Sequence, residues 1–195
     1  MLFLPPTRSK PEIRAATLAA RDALSPEGRA EAAAAVAARG LPFAVAPDAV
    51  VGGYAPIRSE FDPMPLLRKL AAAGARLALP VIMGPGLPLQ FRSFAMGQVL
   101  ERGPLGILQP TAASAELAPD ILLVPLAAFD SLGHRIGYGA GYYDRSIESL
   151  RGSNKAIAVG LAFAVQEIDA VPALGHDAAL DYVLTESRVF DFRSK

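Results

Sequence analysis

Two regimes of hydrophobic patterning divide this chain, and the change falls near Asp48. Before it the pattern is helical. Ser9 and Glu12 have the spacing of a capping box, and Pro11 sits in the first turn, where its missing N–H is harmless. A helix is predicted from there to about Leu24. Ser25-Pro26 restarts a second helix through an alanine-rich stretch to about Arg39, closed by Gly40. Alanine is the best helix former, so this stretch reads as part of a close-packed helix pair rather than as low complexity.

After Asp48, short apolar runs alternate with helical segments. Ala49 to Tyr54 reads as a buried strand, Pro63 to Ala73 as a helix ended by Gly74, and Arg76 to Ile82 as the next strand, a βαβ unit. Gly84-Pro85-Gly86-Leu87-Pro88 is a turn, and Leu89 to Phe94 alternates as an antiparallel or edge strand. Asp120 to Pro125 carries the strongest buried-strand signal. Tyr142 to Leu150 follows as a helix, then Ala156 to Leu161 and Asp181 to Leu184 as strands. The alternation predicts an α/β fold, a three-layer αβα sandwich around a largely parallel sheet. Residues 1–9 are expected to be an amino-terminal tail and 10–195 a single domain. Ligands of such sheets sit at the carboxyl ends of the strands, here residues 54–60, 80–83, 125–141 and 161–166.

Composition narrows the function. Lys+Arg and Asp+Glu balance at 19 each, so no net field points to nucleic acid or an anionic membrane. The absence of cysteine excludes disulfides, thiolate metal sites and cysteine nucleophiles, and suits a reducing compartment. The start lacks a signal h-region, and no apolar run reaches the length of a membrane span. A cytoplasmic protein is expected, a monomer or small homo-oligomer acting on small molecules.

The chemistry concentrates in Arg135-Ile136-Gly137-Tyr138-Gly139-Ala140-Gly141-Tyr142-Tyr143-Asp144-Arg145. Glycines at alternate positions let the backbone turn and approach a ligand, and successive exposed N–H groups make an anion-binding concavity. Flanking arginines suit phosphate or carboxylate, and Asp144 suits a Mg²⁺ brought by a nucleotide. The loop is neither a Walker A loop nor a dinucleotide fingerprint, and glycine spacing alone leaves a plain turn equally open. His134 and His176 lie far apart without ligand spacing and read as a solvated turn residue and a local cap.

With that loop, several segments in order resemble the 5-formyltetrahydrofolate cyclo-ligase family, also called 5,10-methenyltetrahydrofolate synthetase. They are Lys10-Pro11-Glu12-Ile13-Arg14, Tyr54 to Asp62, Leu79-Pro80-Val81, Gly106 to Pro110 with Gln109 in place of the usual acid, and Val124 to Asp130. Gly160-Leu161-Ala162-Phe163 with Gln166, then Pro172, His176-Asp177, Asp181 and Thr185, complete a resemblance over roughly residues 10–190. It implies a Rossmann-like sheet of the CoA-transferase-like kind. It also implies an ATP- and Mg²⁺-dependent closure of 5-formyltetrahydrofolate, with or without a polyglutamate tail, to 5,10-methenyltetrahydrofolate. Phosphorylation of the formyl oxygen, then attack by N10, would release ADP and phosphate.

Carried onto this chain, the resemblance assigns ATP binding to Lys10, Arg14, Arg135, Gly137, Tyr138, Gly139, Ala140, Gly141 and Asp144. Substrate binding falls to Arg14, Ala55, Glu60, Tyr138, Gly141 and Tyr142, catalysis to Arg135 and Tyr142, and Mg²⁺ to Asp144 and Asp181. The alternative for Asp144 is a helix-start acid favoured by the macrodipole, and for Asp181 a strand-start residue. At least one of Tyr142 and Tyr143 is expected in the core, since the helix they begin must bury a face, and Gln166 beside the site. Many members carry lysine where this chain has Ala140, which leaves Lys10, Arg14, Arg135 or Arg145 to supply the phosphate cation. That departure keeps open an alternative, a non-catalytic folate- or nucleotide-binding module of the same fold.

Overall fold

In the computed structural model, which describes residues 9–154, 156–175 and 177–193, each apolar run after Asp48 becomes a sheet strand. The expected tail lies outside these residues except for Ser9, and His176 lies outside them altogether. Helix α1 (Lys10–Asp22) opens where Glu12 Oε2 accepts from the Ser9 N–H at 2.8 Å and from its Oγ at 2.7 Å. Helix α2 (Pro26–Arg39) opens with Ser25 Oγ accepting from the Gly28 N–H at 3.0 Å and closes at Gly40. Strand β1 (Val50–Gly52), helix α3 (Met64–Ala72) and strand β2 (Arg76–Val81) make the βαβ unit, with β1 and β2 parallel. Strand β3 (Gln90–Phe94) runs antiparallel to β2 at the sheet edge.

Strands β4 (Glu101–Arg102) and β5 (Leu108–Gln109) form a small separate ladder. Central strand β6 (Ile121–Pro125) is buried throughout, and β7 (Ala128–Phe129) pairs with β8 (Arg135–Ile136) in a short hairpin. Helix α4 (Tyr142–Asn154), strands β9 (Ile157–Leu161) and β10 (Tyr182–Leu184) and antiparallel edge strand β11 (Val189–Asp191) complete the chain. The two short ladders and β11 escaped the sequence reading, because two or three residues carry too little periodicity.

The sheet order is β11-β10-β9-β6-β1-β2-β3, parallel from β10 to β2. Alternate residues sort the core into two faces. Val51, Leu77, Leu123 and Val159 pack with Val36 of α2 and Leu66, Leu67 and Leu70 of α3. Val50, Ala78, Leu122, Val124 and Val183 pack with Ile147 and Leu150 of α4. These are the three layers expected, each side chain placed by the period-two pleat. Helix α1 stands apart from both faces. Its Ile13 and Leu18 pack on Ala127, Ala128 and Ile136, so it lies across the β7–β8 hairpin beyond the carboxyl end of β6. No helix among the described residues is long and apolar enough to cross a membrane.

Asp130 holds that hairpin. It is 1% exposed; Oδ1 accepts the N–H groups of Leu132 at 2.9 Å and His134 at 3.1 Å, while Oδ2 accepts that of Val171 at 2.9 Å. Burial alone would raise its carboxyl, but the hydrogen bonds from Val171, Leu132 and His134 outweigh it and hold the pKa below the ordinary aspartate value. A lowered pKa stabilises above the ordinary value, and the contribution is lost as the pH falls through the folded one. Asp130→Asn should therefore lose about 2 kcal/mol in urea unfolding at neutral pH, since buried donors lose their charged acceptor. The gap to wild type should close as the pH falls below 3.8, and a gap constant with pH would refute the charge assignment.

Candidate functional site

Strand succession across the sheet reverses between the parallel neighbours β1 and β6: β2 lies on one side of β1, while β6, β9 and β10 extend on the other. The loops leaving β1 and β6 therefore diverge, and a crevice opens at the carboxyl ends of these strands. A cleft of about 890 Å³ occupies that place. Tyr54 and Ala55 line it after β1, Pro80 and Ile82 at the end of β2, Pro125 at the end of β6, and the whole stretch from Arg135 to Arg145 closes one side. Residues 161–166, expected at the site, do not line it. Gln166 is instead buried, donating to the carbonyls of Leu126 at 2.7 Å and Ala127 at 3.0 Å, and so braces the chain leaving β6.

The glycine-rich loop joins β8 to α4. Gly139 and Gly141 have φ of 98° and 67°, a left-handed region that side-chain-bearing residues rarely occupy. Among the described residues, no N–H from Gly137 to Gly141 donates to a protein acceptor. Successive unpaired N–H groups beside the N-terminus of a helix form an anion cradle.

Cations surround it. Arg14 Nε donates to the Gly137 carbonyl at 2.7 Å, which aims the guanidinium at Gly139. Lys10 Nζ pairs with Asp177 Oδ2 at 2.5 Å. Arg135 is 5% exposed; it donates to the Ala178 carbonyl and to Asp144 Oδ1 at 2.8 Å. Its pKa is lowered by burial and supported by the charges of Asp144 and Asp177.

Glu60 forms the opposite pole. Its Oε2 accepts the Ile57 N–H at 2.9 Å. Burial raises its pKa, against the hydrogen bonds of Ile57 and Tyr138 and the charge of Arg21. The Tyr138 hydroxyl accepts from Arg21 Nη1 at 2.6 Å, and burial and Glu60 push its pKa up. Arg21 is itself 3% exposed and donates to Ser59 Oγ at 3.0 Å, so it joins α1, the loop after β1 and the glycine loop. Between the poles lies an apolar wall of Pro80, Ile82, Leu89, Leu105, Ile107 and Pro125. Such a cleft suits a flat, partly polar ring system extending toward a phosphate-bearing partner.

Every residue singled out from the sequence for ATP or substrate lines this cleft, together with Tyr142 and Tyr143. Tyr143 is half-buried and also packs against the apolar core on the α4 side of the sheet, the inward-facing member expected of the pair. Asp181 is the exception. Its Oδ2 accepts the Ala158 N–H at 2.8 Å and pairs with Arg151 at 2.7 Å, at the start of β10. Arg151 is seven residues beyond Asp144 on α4, about 10 Å along the helix axis. The structure thus does not bring the two expected Mg²⁺ ligands together, and Asp181 has the strand-start role that was its alternative. Among the described residues no three acidic or histidine side chains form a metal cluster. Asp144 lines the cleft with Oδ1 accepting from Arg135 and from the Ala178 N–H, and a carboxylate so placed suits an ion that takes its other ligands from phosphate and water.

Sequence reasoning missed Arg21. Its signal was present: Lys10, Arg14 and Arg21 fall at i, i+4 and i+11 on α1, one polar stripe where a surface helix usually turns an apolar one inward.

A sequence model of the 5-formyltetrahydrofolate cyclo-ligase family matches residues 6–186. The chain is 34% identical to the 5-formyltetrahydrofolate cyclo-ligase of Mycolicibacterium smegmatis, covering 93% of this chain and 95% of that one. It is 31% identical to that of Escherichia coli, covering 88% and 97%. The solution structure of Aquifex aeolicus 5,10-methenyltetrahydrofolate synthetase superposes with a TM-score of 0.78 at 30% identity, over 94% of this chain and 93% of the other. A synthetase from Mycoplasma pneumoniae shares the fold with a TM-score of 0.71 at 22% identity, over 92% and 99%.

Glu60 makes a pH test of the cleft. A carboxyl raised by burial is costly to ionise in the folded state; that cost is absent below the ordinary value of 4.5 and grows as the pH rises past it. The Tm of Glu60→Gln relative to wild type should therefore be more positive at pH 8 than at pH 4. An unchanged difference would show that Glu60 is solvated.

Proposed function

The chain belongs to the 5-formyltetrahydrofolate cyclo-ligase family, and on that premise we propose that it is an enzyme closing 5-formyltetrahydrofolate to 5,10-methenyltetrahydrofolate at the expense of ATP, with Mg²⁺. One observation carries the ATP half of this reading: the N–H groups from Gly137 to Gly141, unpaired among the described residues and ringed by Arg14, Arg135 and Arg145, at the switch point of the sheet. A plain turn would have no use for an array of free donors flanked by guanidinium groups.

The formyl oxygen of an N-formyl group is a poor leaving group. Transfer of the γ-phosphoryl to that oxygen forms an O–P bond and breaks the bond to ADP. N10 of the folate then attacks the formyl carbon and the C–O bond breaks, releasing phosphate. Neither step needs a covalent bond to the protein, which supplies position and charge.

In this reading the loop amides hold the phosphates. Arg14 spans the loop edge, and Arg135, fixed by Asp144 and the Ala178 carbonyl, offers an immobile positive charge beside the transferring group. Asp144 would hold the Mg²⁺, which neutralises phosphate charge when bound. Glu60 and the Tyr138 hydroxyl, both held by Arg21 or its field, accept and donate to the polar edge of the pterin. Tyr142 and the apolar wall border its rings.

The direct test follows the absorbance of the methenyl product from 5-formyltetrahydrofolate with ATP and Mg²⁺ present, then with each omitted. Turnover should require both; folded protein silent with both present would refute the reading. Asp144→Asn should lower kcat at least about 100-fold, as expected when charge stabilisation of a transferring group is lost. Full activity in a folded Asp144→Asn would remove Asp144 from the mechanism.

A further inference from the structure

Ala140 leaves the glycine loop without a side-chain cation at its tip. The structure assigns that charge to Arg145, which folds back from α4 over the loop to meet the polyphosphate of the nucleotide. The assignment rests on the reading of ATP as co-substrate.

Several observations carry it. Arg145 is the fourth residue of α4, near the positive end of the helix dipole, where a cation is disfavoured unless something else holds it. Its side chain does not run outward to solvent. Arg145 Nη2 donates to the carbonyl of Ala140 at 2.6 Å, and the guanidinium lies 5.6 Å from the centre of the Tyr142 ring. A Cβ on Gly141 would stand 2.8 Å from Arg145 Nη1, so the glycine leaves the space that the folded-back guanidinium fills. Arg145 Nε is buried and has no hydrogen-bond partner. A guanidinium has five N–H donors, and among the described residues one of them meets a protein acceptor, so this group is held beside the cradle with most of its capacity unspent.

The other cations are committed. Lys10 is paired with Asp177, and Arg135 with Asp144 and the Ala178 carbonyl. Arg14 is anchored on Gly137 and covers the Gly139 side of the loop. Arg145 covers the Gly141 side. The two guanidinium groups thus bracket residue 140, the place a lysine would fill.

The test uses the full chain and reads KM for ATP and for 5-formyltetrahydrofolate separately. Arg145→Gln should raise KM for ATP roughly 10-fold and leave that for the folate within about 2-fold, the pattern of lost nucleotide binding. Calorimetric titration with MgATP alone should show the same loss of affinity. Ala140→Lys added to Arg145→Gln should recover most of it. Ala140→Lys in the otherwise unaltered chain should raise ATP affinity by no more than about 3-fold, well short of the roughly 10-fold carried by Arg145, because the charge is already present. This variant keeps the proposal testable even where Arg145→Gln does not fold. An unaltered KM for ATP in Arg145→Gln, an equal defect toward both substrates, or a large gain from Ala140→Lys alone would each overturn the role of Arg145. An unaltered chain that turns over without ATP would instead overturn the functional reading, and this inference with it.

Discussion

The ion pair between Arg135 and Asp144, 2.8 Å long and mostly shielded from water, is the constraint on which the site depends. It ties the two-residue strand β8 to the first turn of α4, and the glycine loop is what lies between. Burying a guanidinium costs several kcal/mol unless a charge and further acceptors meet it, and here Asp144 and the Ala178 carbonyl do so. The loop is thereby closed at its base while its amides at the tip meet no acceptor among the described residues. Its backbone need not spend those donors on its own fold.

The same economy governs the opposite pole. Glu60 is a carboxylate in surroundings that disfavour its charge, stabilised by one backbone N–H, by the Tyr138 hydroxyl and by the field of Arg21. Arg21 in turn is buried because α1 lies across the carboxyl end of the sheet rather than on either face. Helix α1 therefore packs through Ile13 and Leu18 and works through Lys10, Arg14 and Arg21, which lie along its cleft side. One amphipathic element, with polar contacts where a core helix would carry apolar ones, joins both ends of the cleft.

Gln166, expected beside the site, serves the scaffold instead, as does the buried Asp130. Each meets backbone groups that the pleat leaves unpaired where the chain departs from β6, and neither lines the cleft. Asp181 belongs with them at the other end of the sheet, paired to Arg151 and to the Ala158 N–H. Scaffold and site draw on the same residue types, because an unpaired backbone donor attracts a carboxylate as readily as a metal ion does.

Local rules were enough to read the caps of α1 and α2, the βαβ unit, the antiparallel β3, the fully buried β6 and the glycine loop, since each is encoded within a few residues by caps, period and backbone freedom. The family resemblance was legible for the same reason: its motifs are contiguous. What sequence could not decide was which distant groups meet. Asp144 and Asp181 look alike in the chain, yet one faces the cleft and the other an arginine two turns along α4. Arg21 reaches Tyr138, 117 residues away, only because the order of the strands lays α1 over the β7–β8 hairpin. Periodicity fixes which face of an element is buried, but strand order and crossing direction set what that face meets, and those are properties of the whole packed core.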